Sequence, residues 1–313
     1  MLISLALILF STSPNGKIQL SEEPIQVFGD EGSNDDLILQ NPVAAAFTQE
    51  GHLYVLDSGL SLLYKLSMEG AILRKIGNEG AGPGEFFSPT AMILVEGNLW
   101  VADPRNGRVL LFRDDVFAKT IKTTSPRSNL AVANGHVFAA GAAADPLYGD
   151  ISVYSPDGGR LPDLKWRGKR NIHKGSTSSM WNSIAVSSLS QNRLLIGYLF
   201  DNQITVLKPD GKVLLDRNMH GIYETYEEKK GPLSIPAGLS AMAFGEGPDN
   251  TFLVSACTLK PRSCGKVLRL DSRLKSIIQQ WDMGSSVCHI QTFPDLKMIL
   301  FINRKAEISI YGY

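Results

Sequence analysis

The chain has no excess of charge: 31 basic residues balance 31 acidic ones. Proteins that hold nucleic acid through its phosphates show a basic surplus, so no nucleic-acid partner is expected. Cysteine is scarce, three in 313 residues, which excludes a disulfide-dense small scaffold. No run reaches the ~18 apolar residues of a membrane-spanning helix, so no transmembrane segment is expected. Long amphipathic helices are missing too; the best stretch, Ile222 to Lys230, is brief. There is no Gly-x-Ser-x-Gly elbow and no phosphate-binding glycine loop, so those two chemistries lack their signatures.

What is present begins with an apolar run, Met1 to Phe10, followed by the small residues Ser11, Thr12 and Ser13. Its length suits the core of an export signal, although no basic residue precedes Lys17. Residues 1–16 are therefore expected to be a signal peptide with a truncated start, and 17–313 a single domain. The expected location is periplasmic or extracellular, and a monomer is expected. Cys257 and Cys264 flank a short insert with a Pro-Arg-Ser turn. A hairpin there puts them on opposite strands, where a disulfide would agree with export; two unrelated thiols are the alternative. Cys288 reads as a buried small hydrophobe.

The dominant feature is a repeat. An apolar strand, a turn with Gly, Asn or Asp, a second apolar strand, a polar loop, an alternating third strand and a weaker fourth recur along the chain. The second strands centre near Val55, Val101, Phe138, Leu195, Leu253 and Ile299. Their separation averages roughly fifty residues, the range of propeller blades. The turns SMEG, SPDG and KPDG occupy one equivalent place in the first, third and fourth copies. The sixth copy, from Ser285 to Tyr313, has only three strands, and the run Pro24 to Gly29 can supply the fourth. Closing the ring in this way removes open sheet edges. The expected fold is all-β: a six-bladed β-propeller of four-stranded antiparallel blades, the last closed by the N-terminal strand.

The span Gly77 to Phe112 resembles an NHL repeat. The residues that carry the likeness are Gly82, Pro83, Gly84, Glu85 and Phe86, then Pro89, Gly97 and Asn98, then Trp100 to Asp103, then Asn106, Arg108, Val109 and Phe112. The first copy keeps Pro42, Gly51, Tyr54, Val55 and Asp57 and lacks the Asn-x-Arg. The whole chain is similar to the TolB-like and NHL-like six-bladed propellers of exported bacterial proteins. Read physically, the motif is mostly scaffold. Asp57 and Asp103 end strands, where a carboxylate can accept N–H bonds from the next loop, and Arg108 can pair with such a carboxylate.

Function is harder to read. Five histidines, His52, His136, His173, His220 and His289, show no ligand spacing, so no metal site is assigned. The leading expectation is a non-catalytic propeller that binds a protein, peptide or glycan on its loop face. The candidate contacts are Asp103, Arg105, Arg127, Asn129, Trp181, Asn182, Tyr198 and Arg304, with Asp57 and Asp201 beside them. Exposed aromatics next to Arg and Asn are enriched at recognition surfaces. The alternative is a metal-assisted hydrolase or lyase at the axial channel, similar to the gluconolactonase type. That type uses Glu, Asn and Asp around a divalent cation, while Glu96 and Glu246 here fall at turns. No cofactor is expected; calcium in the channel is the exception the alternative would require.

Overall fold

The computed structural model describes residues 23–29, 37–124, 126–141, 149–166, 184–198, 203–219, 241–259 and 262–313. The expected signal segment lies outside them. Strand β1 (Gln26–Phe28) comes first. Blade 1 follows with β2 (Pro42–Phe47), β3 (Leu53–Asp57), β4 (Leu62–Leu66) and β5 (Ile72–Ile76). Blade 2 holds β6 (Ala91–Val95), β7 (Asn98–Asp103), β8 (Arg108–Arg113) and β9 (Val116–Lys122). Blade 3 holds β10 (Arg127–Ala133), β11 (His136–Gly141), β12 (Gly149–Tyr154) and β13 (Arg160–Trp166). Blade 4 holds β14 (Ile184–Leu189), β15 (Arg193–Tyr198), β16 (Gln203–Leu207) and β17 (Val213–Asn218). Blade 5 holds β18 (Ala241–Gly247), β19 (Thr251–Leu259), β20 (Arg262–Leu270) and β21 (Ile277–Asp282). Blade 6 holds β22 (Val287–Phe293), β23 (Met298–Asn303) and β24 (Ile308–Gly312).

Each blade is a four-stranded antiparallel meander, and β1 is the fourth strand of blade 6. It pairs antiparallel with β24, Val27 opposite Ser309. The chain is thus a six-bladed β-propeller closed by its N-terminal strand, as the repeat count requires. The first strands of the blades contact one another around the axis, and β22 meets β2 to complete the ring.

Burial explains the strand sequences. The second strands are packed by a neighbouring blade on either face, so Leu53–Asp57 is buried at every position. Such strands read as unbroken apolar runs, not as alternation. The fourth strands form the outer rim, and Val116–Lys122 is mostly exposed. Among the described residues the apolar core divides into six clusters, one at each blade interface.

Polar contacts add to this. Thr90 Oγ1 donates to the Ser128 carbonyl at 2.9 Å, and Ser187 Oγ to the Phe244 carbonyl at 2.8 Å. Ser255 Oγ donates to the Val287 carbonyl at 2.7 Å. Each bond crosses from one blade to the next. The turns between third and fourth strands also reach backward. In blades 1, 3 and 4 they share one bonding pattern, with Gly70, Gly158 and Gly211 at positive φ. A side chain at Gly70 would meet the Phe28 ring, and one at Gly211 the Lys165 carbonyl. Glycine is therefore required twice there, for the turn and for the neighbour. Blade 2 uses Asp114 and Asp115 instead. The Asp115 carboxylate takes Lys65 Nζ at 3.1 Å and the Tyr54 hydroxyl, both from blade 1.

Candidate functional site

One face of the ring is built by the loops that leave the second strands and those that enter the first. In blade 1, Asp57 is fully buried at the end of β3. Its carboxylate accepts the backbone N–H groups of Gln40 at 2.7 Å, Asn41 at 3.1 Å, Gly59 at 2.9 Å and Leu60 at 3.0 Å. In blade 2 the equivalent Asp103 is also fully buried. It accepts the Phe87 N–H at 3.0 Å, Asn106 Nδ2 at 2.8 Å and Arg108 Nε at 2.9 Å. The other Arg108 nitrogens donate to the Ala81 carbonyl at 2.7 Å and the Glu85 carbonyl at 2.8 Å. Glu85 in turn accepts the Gly82 N–H at 2.7 Å. These residues of the NHL-like motif hold its glycine-rich loop, which is the scaffold duty read from the sequence.

That clasp has an outward product. The Phe87 N–H is tied to Asp103, while its ring is exposed on the loop face. Arg105 lies over the ring, its guanidinium carbon 5.2 Å from the centroid. Arg105 is exposed, and its one assigned contact among the described residues is this ring. Phe87 was missed in the sequence. The doubled Phe86-Phe87 was the available signal: the first ring is wholly buried in the core between blades 1 and 2, so the second must point elsewhere.

The other expected contacts fare differently. Arg127 and Tyr198 are buried, each 1% exposed. Tyr198 belongs to the apolar cluster between blades 3 and 4. Neither offers an exposed surface: Tyr198 is covered by the packing between blades 3 and 4, and Arg127 is buried at the start of β10. Asp103 is likewise inside the loop clasp and presents no free carboxylate. Arg304 is exposed, in the turn after Asn303, with its N–H bonded to the Ser286 carbonyl at 2.9 Å. Asn129 faces the axial cavity. Trp181, Asn182 and Asp201 lie outside the described residues. So do the side chains of Cys257 and Cys264, although β19 and β20 do form the expected hairpin, with Thr258 opposite Ser263.

The axis encloses a cavity of about 290 Å³ lined by the first strands of all six blades. His289 of β22 lines it, together with Thr90, Asn129, Ser188 and Gln291. Burial lowers the His289 imidazole to a pKa of about 4, against the opposing pull of the Ala45 backbone. The ring is therefore neutral near pH 7. Its Nε2 is buried and has no hydrogen-bond partner. Glu246 also borders the cavity, but its carboxylate is held by the Ser190 N–H at 2.6 Å, Ser190 Oγ at 2.7 Å and Arg193 at 3.0 Å. No group of three His, Cys, Asp or Glu side chains comes together among the described residues. His52 and His136 sit at turns between first and second strands, on the opposite face from Phe87.

No family model matches the chain. Over 99 residues, 29% of this chain, it is 34% identical to NHL repeat-containing protein 3 of Homo sapiens. It is 33% identical to the protein of the same name in Mus musculus. The matched stretch spans 28% of the length of each relative. Among solved structures, virginiamycin B lyase from Staphylococcus aureus superposes with a TM-score of 0.57 at 11% identity, covering 87% of this chain and 80% of that one. A streptogramin B lyase gives 0.55 at 13% identity, covering 92% and 87%. The WD40 propeller domain of Doa1 gives 0.55 at 10% identity, covering 86% and 77%. At these identities the likeness is one of fold.

Proposed function

We propose that this six-bladed propeller with an NHL-type repeat is a non-catalytic recognition module outside the cytoplasm. Its loop face takes an acidic protein or peptide segment at the Phe87–Arg105 pair. One observation carries the reading: an exposed aromatic ring, fixed through its backbone to a buried aspartate, supports a guanidinium that pairs with no carboxylate among the described residues. Aromatic and Arg side chains dominate binding hot spots because they bring a large contact area together with oriented donors. A peptide carboxylate fits the open fork of Arg105, and an apolar neighbour in the peptide fits the Phe87 ring. The apolar run Met1 to Phe10 supports export, and sequencing the N-terminus of secreted protein tests that part.

Binding is tested with the full chain immobilised against acidic peptides, basic peptides of the same length, and neutral and uronic-acid oligosaccharides. Acidic peptides should bind, and Phe87→Ala and Arg105→Ala should each weaken binding at least tenfold with the melting temperature unchanged. Preference for the oligosaccharides would shift the ligand to a glycan. Binding that survives both variants would remove this face from the reading.

A further inference from the structure

Blades 3 and 4 leave a recess between them on the face opposite Phe87. Its volume is about 780 Å³, within the range of small-molecule sites. Strands β11 to β13 of blade 3 line one side and two turns of blade 4 the other. Contacts between the blades close both ends. Near the axis the Asn134 N–H donates to Asn192 Oδ1 at 3.0 Å. Toward the rim the turn of blade 4 abuts β13, where a Cβ at Gly211 would lie 2.7 Å from the Lys165 carbonyl oxygen. The floor is apolar. Phe138, Val153 and Leu164 belong to the core between the two blades, and the partly exposed Leu161 packs against it. Pro209 adds apolar surface from blade 4. The charges around the recess are not balanced by contacts. Asp163 pairs with Arg160, and Asp210 Oδ1 accepts the Lys212 N–H at 2.9 Å. Lys165 and Lys208 line the recess and are exposed. Neither ammonium makes an ion pair or hydrogen bond among the described residues. Across the preceding interface a lysine does reach its neighbour: Lys119 Nζ donates to the Gly158 carbonyl at 3.1 Å.

We infer that this recess binds a small amphipathic anion, an aryl or alkyl carboxylate. Its apolar body lies on Leu161 and Pro209, and its charged end meets Lys165 and Lys208. Three features select that class. The recess is the open mouth of the inter-blade core, so an apolar guest extends that core and removes its surface from water. Two unpaired ammonium groups favour a carboxylate, through charge-assisted bonds, over a neutral or cationic head. The closed ends suit a compact molecule and obstruct a polypeptide running through. This site lies on the opposite face from the Phe87–Arg105 pair and does not depend on the reading proposed for it.

The test titrates the full chain with phenylbutyrate and octanoate at low salt, where exposed charges are least screened, and follows binding by NMR. Phenylbutyramide carries the same body without charge, phenylbutylamine reverses the charge, and sulfate is an anion without a body. The two carboxylates should bind saturably, with a Kd in roughly the millimolar range for so small a ligand. The amide should bind at least fivefold more weakly, and the amine and sulfate should not saturate. Lys165 and Lys208 are exposed, so the double variant Lys165→Ala with Lys208→Ala should keep its melting temperature while weakening phenylbutyrate at least tenfold. Leu161→Asn should weaken it as well and leave the response to sulfate as it was. Arg105→Ala should bind as the native chain does, which separates this recess from the loop face. If neither carboxylate saturates, or if amide or amine binds equally well, the assignment falls. Sulfate binding as tightly as phenylbutyrate would reduce the recess to a patch of charge and remove the amphipathic ligand. Binding that survives the double lysine variant and is lost in Arg105→Ala would move the anion to the other face and overturn the inference.

Discussion

Arg108 Nε lies 2.9 Å from Asp103 Oδ2, with both side chains buried at the end of the second strand of blade 2. The two residues are five apart in sequence and face each other directly across β7 and β8. The guanidinium also carries the carbonyls of Ala81 and Glu85, so it joins the blade to the loop that enters it. Arg108→Ala would leave a buried carboxylate and two carbonyls short of donors. Removing one partner of such a pair costs about 3–5 kcal/mol. Urea unfolding should show the loss, and Arg108→Lys should recover only part of it, because an ammonium cannot span the fork.

Ring closure should depend on Phe28. It is 2% exposed and sits in the cluster between blades 6 and 1. Phe28→Ala is expected to cost about 3–5 kcal/mol, as for other large-to-small core changes. Leu73→Ala on the exposed rim serves as the control and should stay within about 0.5 kcal/mol. Calorimetry of the two variants side by side makes the comparison. Equal melting temperatures would mean that β1 contributes little to closure.

Gly197 in β15 is placed against the Phe244 ring of blade 5, where an added methyl would overlap the aromatic carbons. Its φ is not in the left-handed region, so the ring is the obstacle and the backbone is not. Gly197→Ala should destabilise by about 1–3 kcal/mol through overpacking. Combining it with Phe244→Leu should cost less than the sum of the single changes, since the two sites are in contact.

The His289 ring predicts a pH dependence. Its folded pKa is about 4 and the ordinary value is 6.5. Between these values the unfolded chain binds a proton that the folded chain refuses. Stability is then complete above pH 6.5 and falls as pH drops toward 4, by on the order of 2–3 kcal/mol. The neighbouring thiol does not reverse the sign: burial raises Cys288, which stays protonated across this range. Denaturant midpoints measured at pH 7 and pH 4.5 on the native chain and His289→Gln should differ more for the native chain. Identical shifts would place the acid sensitivity elsewhere.

Much of this architecture was legible before the fold was known. Blade count, closure by Pro24 to Gly29 and the glycine of the SMEG-type turns follow from local rules: strand period, turn chemistry and the cost of an open edge. The same holds for Asp57 and Asp103, because a strand-ending carboxylate finds its N–H donors mainly in the loops beside it. The functional face was not legible to the same degree. Arg127 and Tyr198 look exposed from their positions near loops, yet both are buried, Tyr198 in the packing between blades 3 and 4.

The sequence alone therefore determined that six meanders of strands close into a ring, and which acids would hold their loops. Only the tertiary structure decided which polar and aromatic side chains remain free. Both faces of a propeller blade are covered, so polarity along a strand does not tell inside from outside. The register irregularity between Val287 and His289 breaks the alternation. The direction of the His289 ring, like the exposure of Phe87 beside a buried Phe86, is thus settled by packing between blades distant in sequence.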